Sequence, residues 1–353
     1  MEILILGGTG AMGVPLVKLL SQKGYTVYVT SRFQKENSKN VTYICGNAKE
    51  DNFFNKLMGR NYDVIVDFMV YETEEFKSRL NVLLNHTKQY FFFSSARCYA
   101  GIVDKIKEDS PRLIDVCKDE KYLETDEYGL AKGREENILF DSEKKNWTII
   151  RPYITYNAFR IQLGVYEKEN WLKRALEGRT IVFPEDIANK RTSLTFGPDV
   201  AGAIVDLIGN EHAYGQAFHI TTEESHTWGE ILDFYCKKIE TSTGKRIKIK
   251  MIKDSKELQK IWNPWQIKYD RLYDRVFDNS KIEEIRGHYN YKHTWDGLGE
   301  CIDEFLKNPK WLEINLRYEA WCDRQTGEFT SLCEIPGGFD KLRYIKRRFF
   351  DQV

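Results

Sequence analysis

The sequence lacks the features that mark several classes of protein. No apolar stretch approaches bilayer length, and the short apolar start at residues 1–6 runs directly into glycines instead of a signal-peptide core. Neither sign of charge is in excess, since 53 basic residues are matched by 53 acidic ones. We therefore expect a cytoplasmic protein with no membrane partner, and charge does not favour a nucleic-acid partner.

Groupings that bind metals or build disulfide frameworks are also missing. The seven cysteines are an odd number without Cys-x-x-Cys spacing, so we expect scattered, packed thiols. The histidines are isolated from one another, at His86, His212, His219, His226, His288 and His293. A metal hydrolase is therefore disfavoured, and no metal is expected.

What the sequence does contain predicts an α/β fold around a doubly wound parallel sheet, the Rossmann fold. Short apolar runs alternate with amphipathic stretches, as in repeated βαβ units. The predicted strands are residues 2–6, 26–30, 41–44, 64–66, 90–94 and 147–150. We predict a dinucleotide-binding domain over residues 1–152, with strands returning around residues 195–221.

After Pro152 the sequence becomes rich in Trp, Tyr and long charged side chains. Residues 153–353 are predicted to form mainly a smaller α/β substrate-binding domain with a C-terminal extension. The aromatic stretch at residues 261–273 fits either a ligand wall or ordinary core. We interpret the basic tail at residues 345–353 as a solvated or docking end.

A glycine loop follows the first predicted strand directly. Gly7, Gly10 and Gly13 satisfy G-x-x-G-x-x-G, which permits a tight turn and a close approach of backbone to a pyrophosphate at a helix N-terminus. We expect the loop to bind a nicotinamide dinucleotide through Gly7, Thr9, Gly10, Ala11, Met12 and Gly13.

The end of the second strand bears on which dinucleotide is bound. NAD-binding proteins usually carry an acidic residue there, whereas this chain has Ser31 and Arg32. A hydroxyl and a guanidinium suit a 2′-phosphate, so NADP is preferred over NAD. Alternatively, Arg32 stacks on adenine and tolerates either cofactor.

A candidate catalytic set follows. Tyr128 and Lys132 are four residues apart and share one helix face, where the ammonium would stabilise a tyrosinate and suit the phenol to general acid/base catalysis. Ser95 follows a predicted strand at the carboxyl edge of the sheet, where parallel α/β sheets bind ligands.

These motifs resemble the extended branch of the short-chain dehydrogenase/reductase superfamily, the NAD-dependent epimerases and dehydratases. The resemblance spans residues 1–231 and is carried, in matching order, by residues 7–13 (GGTGAMG), 93–99 (FSSARCY), 128–132 (YGLAK), 150–152 (IRP), 195–201 (TFGPDVA) and 215–220 (GQAFHI).

The resemblance implies Ser95, Tyr128 and Lys132 as catalytic residues, with Lys132 also bonding the nicotinamide ribose. It implies that Asn47 and Ala48 flank adenine and that Phe68 lies under the nicotinamide. It further implies a nucleotide-linked sugar as substrate, and members often form homodimers.

Departures from the family pattern narrow this reading. Residues 96–98 (ARC) replace the Asp-Glu pair of sugar dehydratases, which disfavours dehydration, and Cys98 falls one position late for the family's epimerase cysteine and is expected to pack. Residues 67–73 (DFMVYET) lack the usual small residues, as in atypical members that include relatives of the chloroplast stem-loop-binding proteins.

The favoured hypothesis is an NAD(P)-dependent sugar or nucleotide-sugar epimerase or reductase, in which Tyr128 removes a hydroxyl proton while hydride passes to the nicotinamide. Arg97, Tyr153, Tyr156 and Arg191 are the candidate substrate-binding residues, although Arg97 equally fits a surface ion pair. The alternative is a non-catalytic protein that senses a dinucleotide or associates with RNA.

Overall fold

The computed structural model describes residues 1–102 and 104–350. Its strands, in chain order, are β1 Glu2–Leu6, β2 Thr26–Ser31, β3 Val41–Cys45, β4 Tyr62–Asp67, β5 Thr87–Phe93, β6 Trp147–Pro152, β7 Thr155–Tyr156, β8 Ile181–Pro184, β9 Arg191–Thr192, β10 Thr195–Phe196, β11 Gln216–Ile220, β12 His226–Thr227 and β13 Ile249–Ile252.

Helices connect most of these strands. In chain order they are α1 Gly13–Gln22, α2 Asp51–Leu57, α3 Thr73–Asn85, α4 Leu113–Val116, α5 Glu120–Leu123, α6 Tyr128–Asp141, α7 Lys168–Leu176, α8 Glu185–Ala188, α9 Gly197–Leu207, α10 Trp228–Thr243, α11 Lys256–Ile261, α12 Pro264–Gln266, α13 Ser280–Arg286, α14 Thr294–Lys307, α15 Leu316–Thr326 and α16 Gly338–Phe349. A π-helical turn, Ile267–Arg271, follows α12.

A parallel sheet in the order β11-β6-β5-β4-β1-β2-β3 forms the centre of the described chain, and it confirms the predicted Rossmann fold. The strand order reverses between β1 and β4, which places a crevice at their carboxyl ends. Helices α1 and α9 cover one face, and α3 and α6 pack beside each other. Residues from the two faces form separate apolar clusters, because parallel strands are buried on both sides.

The C-terminal region is more helical than predicted. Its strands are two to four residues long and pair only in two-stranded ladders outside the main sheet, apart from β11, which joins the main sheet beside β6. Many aromatic residues of this region lie in a large core shared by several helices, including Trp171, Trp228, Tyr235 and Trp321. Large side chains at helical spacing form this core as readily as side chains on strands do.

Buried ion pairs attach the C-terminal extension to this core. Arg174 in α7 is fully buried, and its Nη1 lies 2.6 Å from Glu319 Oε2 and 2.9 Å from Asp323 Oδ1 in α15. Tyr344 in α16 donates a hydrogen bond to Asp323 Oδ2 at 2.7 Å. Helix α16, which carries the first residues of the basic tail, is therefore held against α15.

Candidate active site

The glycine loop lies between β1 and α1, and its Gly8 and Gly13 leave no space for a side chain. A Cβ on Gly8 would lie 2.7 Å from Ile5 Cγ2, and a Cβ on Gly13 would lie 2.6 Å from the carbonyl carbon of Gly8. Gly7 adopts a positive φ of 71°, which favours glycine. Its amide donates to Thr30 Oγ1 at 2.9 Å, which ties the loop to the end of β2.

The start of α1 is suited to an anion. A Cβ built on Gly10 meets no atom within 4 Å, so open space adjoins this turn of the loop. No side chain caps the helix at Met12, and its first turn contains no acidic residue. A cradle closed to side chains on one side and open on the other fits a dinucleotide pyrophosphate, and the residues present therefore fit the expected cofactor.

The other predicted cofactor residues surround the same edge of the sheet. Ser31 is buried and its Oγ accepts from the amide of Phe33 at 3.2 Å, while Arg32 is exposed. Asn47 and Ala48 follow β3, and the carbonyl of Ala48 accepts from buried Arg79. Phe68 follows β4 next to Gly7 and packs on Phe93, with ring centroids 4.1 Å apart.

Ser95 and Tyr128 line one cavity of about 400 Å³ at the carboxyl edge of the sheet. Ser95 is the second residue after the end of β5, and its Oγ accepts from the backbone amide of Arg97 at 3.2 Å. Tyr128 is the first residue of α6, whose start is capped by Glu127 Oε2 accepting from Gly129 at 2.9 Å. The structure therefore brings these two predicted residues together.

Lys132 lies one turn further along α6 and has a partner that the sequence did not reveal. Its side chain is 1% exposed, and Nζ lies 2.8 Å from Oε2 of equally buried Glu135. The same Nζ is 5.9 Å from the centre of the Tyr128 ring and 4.7 Å from that of Phe92. The ammonium is thus held close to the phenol, although in this conformation its hydrogen bond goes to Glu135.

Two buried carboxyl groups near Lys132 resist ionisation. Burial raises the pKa of Asp67 to about 6, against the hydrogen bonds that it accepts from Met69, Tyr71 and Tyr90. Burial likewise raises the pKa of Glu135 to about 7, which the nearby Lys132 opposes. A buried cation is therefore surrounded by acids that can bind protons near neutral pH.

We expect Asp67→Asn to reduce the pH dependence of stability. The pKa of Asp67 lies near 6 in the folded chain against an ordinary value of 3.8, so the folded state binds more protons and the free energy of unfolding falls as pH rises through this window. In the unmodified chain this fall in the free energy of unfolding should amount to about 2–3 kcal/mol, and it should be absent from Asp67→Asn. Urea unfolding at pH 4.5, 5.5 and 7 measures this, and an unchanged slope between pH 4.5 and 5.5 would contradict it.

The predicted substrate residues separate into two groups. Arg97 and Tyr153 line the cavity. The Arg97 guanidinium pairs with Glu127 at 2.6 Å and lies over the Tyr128 ring, 5.2 Å from its centre. By contrast, Tyr156 is 1% exposed within the core beside Gly297, and Arg191 is exposed and donates to Ser225. The structure does not bring these last two to the cavity.

Further lining residues come from the C-terminal region and were not predicted, namely Arg160, Gln162, Gln266 and Arg271. Gln266 and Arg271 belong to the aromatic stretch, whose rings mostly pack, for example Tyr269 stacked on Tyr122 at 4.4 Å. The stretch is therefore packed structure that also carries cavity residues. Cys98 is fully buried and does not line the cavity.

The parallel sheet carries a glycine cradle where its strand order reverses, and Ser95 and Tyr128 line the adjoining cavity. This combination defines the class of nicotinamide-dinucleotide-binding folds. A family model described as "NAD dependent epimerase/dehydratase family" matches residues 3–220. The chain belongs to this family. The predicted membership of the NAD-dependent epimerase/dehydratase family is therefore confirmed.

Among curated proteins, a plant protein is similar to this chain over part of its length. The chain is 27% identical over 245 residues to the chloroplast stem-loop binding protein of 41 kDa b of Arabidopsis thaliana, an alignment that covers 64% of this chain and 60% of that relative's length. It thus spans less than two thirds of the length of this curated relative.

Solved structures of similar shape share the fold. WbmH of Bordetella bronchiseptica in complex with NAD⁺ is 15% identical with a TM-score of 0.67, covering 88% of this chain and 99% of that one. The dTDP-glucose 4,6-dehydratase of Bacillus anthracis in complex with NAD is 17% identical with a TM-score of 0.66, covering 88% of this chain and 98% of that one.

Within the described residues, every helix is too short or too polar to cross a bilayer.

Proposed function

We propose that this protein is an NAD(P)-dependent epimerase or reductase of a nucleotide-linked sugar that uses Ser95, Tyr128 and Lys132. The observation that carries the proposal is the shared cavity of Ser95 and Tyr128 at the carboxyl edge of the sheet, next to the glycine cradle. The dehydratase similar in fold acts, by its name, on dTDP-glucose. Nucleotide-linked sugars are therefore the first substrates to test.

Each side chain has a role that its surroundings support. The Ser95 hydroxyl hydrogen-bonds the reacting oxygen of the substrate, and Tyr128 takes or returns the proton on that oxygen. Lys132, 5.9 Å from the Tyr128 ring centre, stabilises the phenolate electrostatically. Residues 7–13 with Asn47, Ala48 and Phe68 would hold the dinucleotide, which when bound supplies the hydride acceptor and donor.

The proposal is tested by mass analysis of nucleotide retained on the purified protein, followed by incubation with NAD, NADP and a panel of UDP- and dTDP-linked sugars. We expect a pyridine dinucleotide to bind and at least one sugar to change, either in configuration or in oxidation state. A protein without measurable affinity for either dinucleotide would overturn the proposal.

We propose further that NADP is preferred, because Ser31 ends β2 and exposed Arg32 follows it, at the place where an acidic residue would repel a 2′-phosphate. Arg32→Gln should weaken NADP binding about 10-fold and leave NAD binding within about 2-fold. Fluorescence titration measures both affinities, with Lys39→Gln as an exposed control cation from the same loop. Equal weakening of both cofactors would indicate stacking on adenine instead.

A second candidate function is association with RNA, which the similarity to the chloroplast stem-loop binding protein favours. The formal net charge of zero provides no overall attraction for polyanions. Titration of stem-loop RNA at 50 and 200 mM salt tests this candidate. Tight binding that weakens steeply with salt, in a protein that changes no sugar substrate, would favour it over the enzyme.

A further inference from the structure

The cavity beside Ser95 and Tyr128 is positively charged. Its charged lining residues are Arg97, Arg160 and Arg271, and no acidic side chain is among the described residues that line it. Arg160 lies at the rim, where its side chain is 44% exposed and lies 3.5 Å from Glu167. The other two guanidiniums are largely buried, with side chains 14% and 2% exposed.

Arg97 is fixed next to the candidate catalytic residues with bonding capacity left over. Its Nη2 donates to Glu127 Oε1 at 2.6 Å, and its Nε lies 4.0 Å from Asp270 Oδ2. Nη1 makes no hydrogen bond to any described residue. The Arg97 guanidinium lies over the Tyr128 ring, and the Arg97 backbone amide donates to Ser95 Oγ, so this cation lies beside two of the candidate catalytic residues.

Arg271, in the π-helical turn Ile267–Arg271, provides a second cation. Its Nε donates to the carbonyl of Gly164 at 2.9 Å, and its Nη1 bonds Tyr153 and Asp270. Nη2 has no hydrogen-bond partner in the described chain. Asp270 also pairs with Arg275 at 2.9 Å. Asp270 and Glu127 are thus two carboxylates for the three guanidiniums of Arg97, Arg271 and Arg275, which leaves one positive charge in excess.

Gln162 adds an unused acceptor. The residue is 4% exposed, and its Nε2 donates to Glu167 Oε1 at 3.1 Å, which fixes the orientation of the amide. Its Oε1 is buried without a hydrogen-bond partner. A buried acceptor is costly to leave unpaired, and a ligand hydroxyl in the cavity would satisfy it.

We propose that the cavity recognises a sugar acid, in which a carboxylate on the reacting sugar is bound by Arg97 and Arg271 and a sugar hydroxyl donates to Gln162. This rests on the proposed function for the identity of the reacting group. The carboxylate belongs to the sugar and not to the diphosphate linker, because Arg97 adjoins Ser95 and Tyr128, which address the reacting ring. Planar guanidiniums bind carboxylates with well-defined geometry.

The test compares UDP-glucuronate with UDP-glucose, which differ only in a carboxylate against a hydroxymethyl group. Calorimetric titration of the dinucleotide-loaded protein should give about 10- to 100-fold tighter binding of UDP-glucuronate. Arg97→Gln should remove most of this difference, while Arg97→Lys restores part of it. Arg60→Gln, which alters a surface pair with Glu2, is the matched control.

Three results would overturn the inference: equal or weaker binding of the acid, no binding of the acid, or equal losses for both ligands in Arg97→Gln, which would assign the guanidinium to the diphosphate. Thermal melting of each variant shows whether it folds. If Arg97→Gln does not fold, the inference is judged by Arg97→Lys and by the comparison of the two ligands in the unmodified protein. Turnover of neutral nucleotide sugars at equal affinity would defeat this inference and leave the proposed function intact. Failure to bind either dinucleotide would defeat the proposed function.

Discussion

Tyr128→Phe is expected to lower kcat by about 10²- to 10⁴-fold, because the variant removes the group that exchanges a proton with the substrate oxygen. The dissociation constant for the dinucleotide should change by less than about 3-fold, since the glycine cradle is untouched. Turnover and cofactor titration on the same preparation provide the two measurements. This combination separates a loss of chemistry from a loss of binding.

Stability should hardly respond to the same substitution. The Tyr128 hydroxyl makes no hydrogen bond to a described residue, so its removal leaves no protein group unpaired. The control for loss of a phenolic oxygen is Tyr25→Phe. Tyr25 is half-buried and follows the carboxyl end of α1, whereas the glycine loop lies at the other end of that helix. Undiminished turnover in Tyr128→Phe would exclude the phenol as the acid/base of the reaction.

The central sheet was predictable because its signal is local. Continuous apolar runs identified β1 to β6 to within a few residues, and the errors lie at polar ends such as Tyr62, Asp63 and Thr87. Those residues belong to the paired strands β4 and β5 because their backbones hydrogen-bond to the neighbouring strand. Such pairing does not depend on the hydropathy of the side chains, so an apolar run does not indicate it. The glycine loop was predictable for the same local reason.

The site was predictable only in part. Ser95, Tyr128 and Arg97 lie on or next to recognisable motifs and line the same cavity. Arg271 reaches it from 143 positions beyond Tyr128 in the numbering, through a π-helical turn that no short pattern announces. The buried partner of Lys132, Glu135, is three residues away on the same helix, yet only tertiary packing shows that both are shielded from water.

A buried cluster around Glu136 fixes the relative positions of the elements that carry the candidate catalytic residues. Glu136 lies one turn beyond Lys132 in α6, and its carboxylate accepts two hydrogen bonds from Arg151 in β6, at 2.7 and 2.8 Å. Ser94, next to Ser95, donates to the same carboxylate at 2.5 Å. Burial alone would raise the pKa of Glu136, but Arg151 and these hydrogen bonds hold it below its ordinary value.

Arg151→Met is therefore expected to reduce the free energy of unfolding by about 3–5 kcal/mol, because it leaves the Glu136 carboxylate buried without its main counter-ion. Chemical denaturation at pH 7 measures the loss. Arg60→Met, which breaks an exposed pair with Glu2, should cost less than about 1 kcal/mol and serves as the matched control.

The double variant Glu136→Leu/Arg151→Met separates the charge from the packing. Removing both partners eliminates the uncompensated carboxylate, so the double variant should be more stable than Arg151→Met alone. Turnover of the double variant should nevertheless be lower than that of the unmodified protein. The Ser94 hydroxyl loses its acceptor, so the end of β5 is no longer tied to α6. A double variant less stable than Arg151→Met would mean that the carboxylate was already compensated by Arg112, 3.1 Å away, and that the cluster contributes mainly through packing.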